Sequence, residues 1–182
     1  VALLLKMLQA DYAHPGRLML ELRNPYIWNK YPFRRGLKSP HRDLDDIWVR
    51  YNDIACFTGD IQRFNAPHES VWYPVIEQIP EAKAIAEKIR DDFKGSLGGV
   101  LITRIPPGKS CHPHIDQGWH AQYYEKFAYQ VQGNTEQSFN VEDESLRTHS
   151  GDLFWFDNSH LHWVNNPSNE DRITMVVCVR RH

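Results

Sequence analysis

The spacing of apolar positions changes once along the chain, near residue 97. Upstream, Ala82, Ile85, Ala86, Ile89 and Phe93 recur at helical spacing behind Pro80. This predicts a helix with Pro80 in its first turn and Gly95 as its C-cap, and its apolar stripe needs a sheet to cover. Downstream of Gly99 the runs become short and strand-like: 100–105, a stretch near 111–116, then 127–132, 137–141, 153–156, 160–164 and 172–179. Turns such as Pro106-Pro107-Gly108 separate them. Ile47 to Tyr51 is a further strand-like run, ahead of the helix. So many short strands predict a mainly β fold, a sandwich or barrel with helices packed on one outer face.

Composition narrows the reading. A chain of 182 residues, 41% hydrophobic, is read as one domain, with 1–96 flanking and 97–182 forming the β core. A net charge of -2, with Lys and Arg scattered among acids, argues against nucleic acid as a partner. No run approaches the ~20 apolar residues of a membrane span, and the opening Val1-Ala2-Leu3-Leu4-Leu5 lacks the basic flank and cleavage site of a signal peptide. The missing initiator Met is read as a trimmed start. Cys56, Cys111 and Cys178 are odd in number and far apart, so a reducing, cytoplasmic setting is expected. Trp28, Tyr31, Phe33, Arg34, Arg35, His41 and Arg42 form an aromatic and basic stretch, either a solvated loop or an entrance whose arginines meet an anionic group on a substrate.

Candidate chemistry lies in the second half. His114-Ile115-Asp116 is an H-x-D triplet just after the Pro-Pro-Gly turn, and strand alternation puts its outer members on one face. His160 and His162, on one face of a later strand, are the candidates for a third metal ligand; each alone reads first as a histidine satisfied within an aromatic wall, and only the joint pattern reverses that. If residues 165–171 turn a hairpin centred near Pro167, His162 lies opposite Arg172 and His160 opposite Thr174, which favours His162. Arg172 and Thr174 then point inward, and a guanidinium suits a buried carboxylate because it is planar and permanently charged.

With these residues in hand, the chain resembles the aspartyl/asparaginyl β-hydroxylase branch of the Fe(II)/2-oxoglutarate-dependent oxygenases, including its free-proline hydroxylase-like members. The resemblance rests on Ile105-Pro106-Pro107-Gly108, His114-Ile115-Asp116, Phe156-Asp157-Asn158-Ser159 leading to His162, and Asp171-Arg172. It implies a double-stranded β-helix (a cupin-like jelly roll), an iron site of His114, Asp116 and His162, and Arg172 on the 5-carboxylate of 2-oxoglutarate, with Thr174 beside it. Lys126 and Gln130, sharing a face of the intervening strand, are the candidates for the 1-carboxylate. The implied activity is hydroxylation of a C–H bond in an amino acid, a peptide side chain or a related small molecule. Two alternatives remain at this stage. One is a cupin-type metalloprotein using His112 with His114; the other is a jelly-roll binding module without turnover.

Overall fold

The computed structural model describes residues 2–182; Val1, which opens the apolar run, lies outside them. Leu5 begins the first strand, β1 (Leu5–Gln9). The strands that follow are β2 (Asp45–Tyr51), β3 (Val71–Trp72), β4 (Gly95–Ile105), β5 (Ser110–His114), β6 (Glu125–Gln132), β7 (Ser138–Val141), β8 (Glu144–Leu146), β9 (Leu153–Phe156), β10 (His162–Asn165) and β11 (Arg172–Arg181). The helices are α1 (Gly16–Glu21), α2 (Ile61–Phe64), α3 (Pro80–Asp92) and α4 (Trp119–Tyr123). Among the described residues, no helix is long and apolar enough to cross a membrane.

Two antiparallel sheets form a jelly roll, a double-stranded β-helix. The major sheet runs β1-β9-β6-β11-β4-β2-β3 and the minor sheet β5-β10-β7-β8. Residue alternation on β11 explains the layering. Ile173, Met175, Val177 and Val179 turn outward, where they join the buried face of α3, namely Ala82, Ile85, Ala86 and Ile89. Tyr12, Leu18 and Leu22 near α1 and Ile47 and Val49 of β2 belong to the same cluster, so the segments before residue 97 share one core with the β region. Inward-facing apolar residues make a second cluster between the sheets, including Ile105, Phe139, Phe154, Phe156 and Val164.

Two local expectations are corrected. The α3 helix does begin with Pro80, but its C-cap is Phe93 and the left-handed turn falls on Lys94, with φ 53°; Gly95 is already the first residue of β4. The proposed hairpin between β10 and β11 does not exist. β10 pairs with β5 and β7, whereas β11 pairs with β4 and β6, so His162 lies opposite His114 and Arg172 opposite Ile105. The chain changes sheets between β10 and β11, and Asn166 ties that crossing to the β4–β5 turn. Its side-chain amide donates to the carbonyls of Ile105, Pro106 and Glu170, and its own carbonyl accepts from Gly108.

Candidate functional site

The space between the sheets opens into a cavity of about 560 Å³. His114 ends β5 and His162 begins β10, and the β5–β10 ladder brings their rings to a centroid distance of 4.3 Å. Asp116 lies two residues beyond the strand end. His114 Nε2 sits 3.1 Å and His162 Nε2 3.4 Å from Asp116 Oδ1. The ligand atoms of this trio lie within 4.8 Å of one another.

Hydrogen bonds hold the three groups in that arrangement. His114 Nδ1 donates to the His112 carbonyl at 2.7 Å and His162 Nδ1 to the His160 carbonyl at 2.8 Å. Each Nδ1 therefore carries a proton and each Nε2 turns inward onto Asp116, the usual orientation of metal-binding imidazoles. Asn158, on the turn after β9, donates from its side chain to Asp116 Oδ2 and to the Ala121 carbonyl, while its backbone carbonyl accepts from the Asp116 amide. Burial disfavours charge on both Asp116 and His114. Their mutual hydrogen bond wins, pulling Asp116 far below the ordinary carboxylate range and raising His114 to about 9. His41 packs edge-on against His114 at 4.6 Å, and burial followed by the nearby Arg34 pushes its pKa down to about 2.

Neither of the other candidate histidines enters this group. His160 precedes β10 in a half-exposed turn, 3.7 Å from Glu142. His112 pairs with Asp43 at 2.9 Å and does not line the cavity.

Arg172 faces the cavity from the major sheet. It is 1% exposed, and neither NH1 nor NH2 has a hydrogen-bond partner among the described residues. Burial alone lowers its pKa to about 10. An unpaired buried guanidinium is costly, and a carboxylate is the ligand it fits best. Thr174, the next inward residue of β11, also lines the cavity. Lys126 lines it too, with Nζ 3.1 Å from Cys178 Sγ. Gln130 does not: its amide donates to the Gln132 and Ile173 carbonyls and accepts from Thr148, so every polar atom is spent in the wall.

The entrance stretch is also corrected. Arg34 reaches the cavity wall but is closed on both oxygens of Asp46, at 2.7 and 2.9 Å, and on Thr103. Arg35 and Arg42 are exposed, and neither lines the cavity. Asp46 is 2% exposed on β2, and its pairing with Arg34 is a contact that no local pattern in the sequence announces.

A family model for aspartyl/asparaginyl beta-hydroxylase matches residues 67–182, which include the His114, Asp116 and His162 group and Arg172. The chain belongs to this family. Among solved structures it is similar to a prolyl hydroxylase from Trichoplax adhaerens in complex with a hypoxia inducible factor oxygen degradation domain peptide fragment. Identity there is 12% and the TM-score 0.58, over 98% of this chain and 84% of that one. It is also similar to the viral collagen prolyl hydroxylase of Paramecium Bursaria Chlorella virus-1 in its 2OG complex, at 10% identity and a TM-score of 0.54, over 100% and 97% of the two chains. A 2OG-Fe(II) oxygenase family oxidoreductase from Burkholderia pseudomallei gives 12% identity and a TM-score of 0.52, over 96% and 94%. At such identities the likeness shows the shared fold. No curated protein matches the chain in sequence.

Proposed function

We propose that this chain is a single-domain Fe(II)- and 2-oxoglutarate-dependent oxygenase that hydroxylates a C–H bond. Arg172 carries the reading: a buried guanidinium whose NH1 and NH2 have no partner among the described residues, in the same cavity as two imidazoles and a carboxylate whose ligand atoms converge. That donor set fits Fe(II), since two imidazoles and one carboxylate would hold the metal while leaving it open to cosubstrate. His114, Asp116 and His162 would hold the metal. Once bound, iron supplies the redox chemistry by which dioxygen and 2-oxoglutarate are consumed and the C–H bond is oxidised.

The protein's own part is positioning. The His112 and His160 carbonyls set the tautomers of the two imidazoles, and Asn158 orients the carboxylate. Arg172, with Thr174 beside it, receives the 5-carboxylate, whose charge relieves the guanidinium's unpaired burial. Lys126 is the candidate for the 1-carboxylate. The expected cytoplasmic setting stands as part of the proposal, and the three free cysteines support it. His112 faces away, which counts against a cupin using it. A binding module without turnover would use the same Arg172 for a carboxylate ligand, and release of succinate separates the two readings.

The test is an anaerobic titration. Fe(II) and 2-oxoglutarate added together are expected to produce a visible charge-transfer absorption that neither produces alone, and admitting air should release succinate from 2-oxoglutarate. Absence of both, in protein shown to be folded, refutes the proposal.

A further inference from the structure

The outer half of the cavity has a different chemistry from the metal end. Phe33, Trp48, Tyr51, His120 and Trp119 all line it and form a continuous arc of rings. Successive centroid distances are 5.4 Å from Phe33 to Trp48, 5.1 Å from Trp48 to Tyr51, 5.1 Å from Tyr51 to His120 and 6.0 Å from His120 to Trp119. His120 belongs to this arc as a neutral ring, because its Nε2 accepts a 2.9 Å hydrogen bond from the Gly99 amide. A side chain at Gly99 would press on it, as an added Cβ would stand 3.1 Å from the Tyr51 ring and 3.2 Å from His120. At the mouth, Ile61 and Ile115 are 38% and 47% exposed while still lining the cavity, beside exposed Asn65 and Gln117, so its rim combines apolar and uncharged polar groups.

The charges that reach this cavity are already committed. Arg34 is closed on Asp46 and Thr103. Lys126, which touches only the Cys178 thiol, and Arg172, which is unpaired among the described residues, are taken by the two cosubstrate carboxylates in the function proposed above. Among the described residues, Asp116 is the single carboxylate in the lining, and it faces His114 and His162. A zwitterion entering the outer half would leave its carboxylate and ammonium without unclaimed partners, whereas a ring would bury its faces against other rings.

We propose that the substrate of this oxygenase presents an aromatic side chain in amide linkage, uncharged at both ends, rather than a free amino acid or an aspartyl carboxylate. The chemistry rests on the function proposed above; the recognition rests on the cavity wall and can be tested without metal. The metal-free protein, with excess 2-oxoglutarate present so that Arg172 is occupied, is titrated calorimetrically with N-acetyl-phenylalanine amide, free phenylalanine, free proline and N-acetyl-aspartic acid amide. The blocked aromatic compound is expected to bind at least about tenfold more tightly than the other three, a difference of about 1.4 kcal/mol.

Trp48→Ala should weaken that binding by about tenfold and Trp48→Phe should restore most of it, because the phenyl ring keeps a stacking surface. If Trp48→Ala fails to fold, Trp119→Ala at the start of α4 tests the same arc. Tighter or equal binding of either free amino acid or of the aspartyl compound overturns the inference. So does failure of the blocked aromatic compound to bind at millimolar concentration. The Fe(II)–2-oxoglutarate absorption, recorded on the same preparations, separates the two proposals. Ring-selective binding without that absorption refutes the oxygenase and leaves the pocket's preference standing; the absorption without ring selectivity refutes the preference alone.

Discussion

Replacing Arg172 by methionine is expected to stabilise the ligand-free protein while removing its affinity for 2-oxoglutarate. The guanidinium is 1% exposed and unpartnered, and burial lowers its pKa from 12.5 to about 10. At about 1.4 kcal/mol per pKa unit, the buried charge costs the empty protein on the order of 3 kcal/mol. For the sign, a base whose pKa falls on folding binds its proton more tightly when unfolded. The cost is therefore in full force below the folded pKa of about 10, hence at neutral pH. Methionine keeps much of the length without the charge, and imperfect repacking returns about 1 kcal/mol. A net gain of about 2 kcal/mol corresponds to a melting temperature about 4–8 °C higher for a domain of this size. The cosubstrate carboxylate, by contrast, loses its only proposed cationic partner, a loss of about 3–5 kcal/mol, or two to three orders of magnitude in affinity. Thermal unfolding of the empty protein followed by circular dichroism and anaerobic calorimetry of the Fe(II) form measure the two effects. A lower melting temperature for Arg172→Met refutes the unpaired charge, and an affinity within about threefold of wild type, far short of that loss, refutes the cosubstrate contact.

Four further outcomes are expected. His162→Ala should abolish Fe(II) binding in anaerobic equilibrium dialysis, while His160→Ala, in a half-exposed turn, should leave it within about threefold, less than about 1 kcal/mol; the opposite ranking would show that the wrong histidine has been placed at the metal. Asp116→Ala should remove most 2-oxoglutarate turnover and His112→Ala little of it, and equal losses in a succinate assay would return the cupin reading to contention. Burial holds His120 neutral with a pKa of about 2, so the unfolded state takes up its proton as pH falls below the ordinary histidine value of 6.5. The loss is up to about 1.4 kcal/mol per pH unit, and His120→Gln, which keeps an acceptor for Gly99, should show a correspondingly shallower fall in urea stability between pH 6 and 4, approximate bounds set by that linkage. Asn166→Ala strips the Ile105, Pro106 and Glu170 carbonyls of a shared donor and should cost about 3 kcal/mol in urea unfolding, a loss below about 1 kcal/mol meaning that water replaces it.

Local pattern was enough to determine the strands of the second half other than β8, the helix opening at Pro80 and the inward phase of Arg172 and Thr174, because alternation and helical spacing are properties of a single segment. His114 and Asp116 come together as expected, but Asp116 lies beyond the end of β5, where Asn158 rather than strand alternation positions it. Which strands become neighbours is not a local property. Residues 165–171 have the composition of a hairpin turn, yet the chain uses them to cross from the minor sheet to the major one, and closing two sheets over a shared core outweighs the pairing of sequential strands. The inference that His162 faces inward therefore agreed with the structure for a different reason: its ladder partner is His114, not Arg172. Tertiary contacts likewise closed Arg34 on Asp46, spent Gln130 in the wall and gathered five rings from residues 33 to 120 around one cavity. Buried polar groups take whatever partner the packed chain brings within reach, and burial, which makes those partners obligatory, exists only once the sheets have closed.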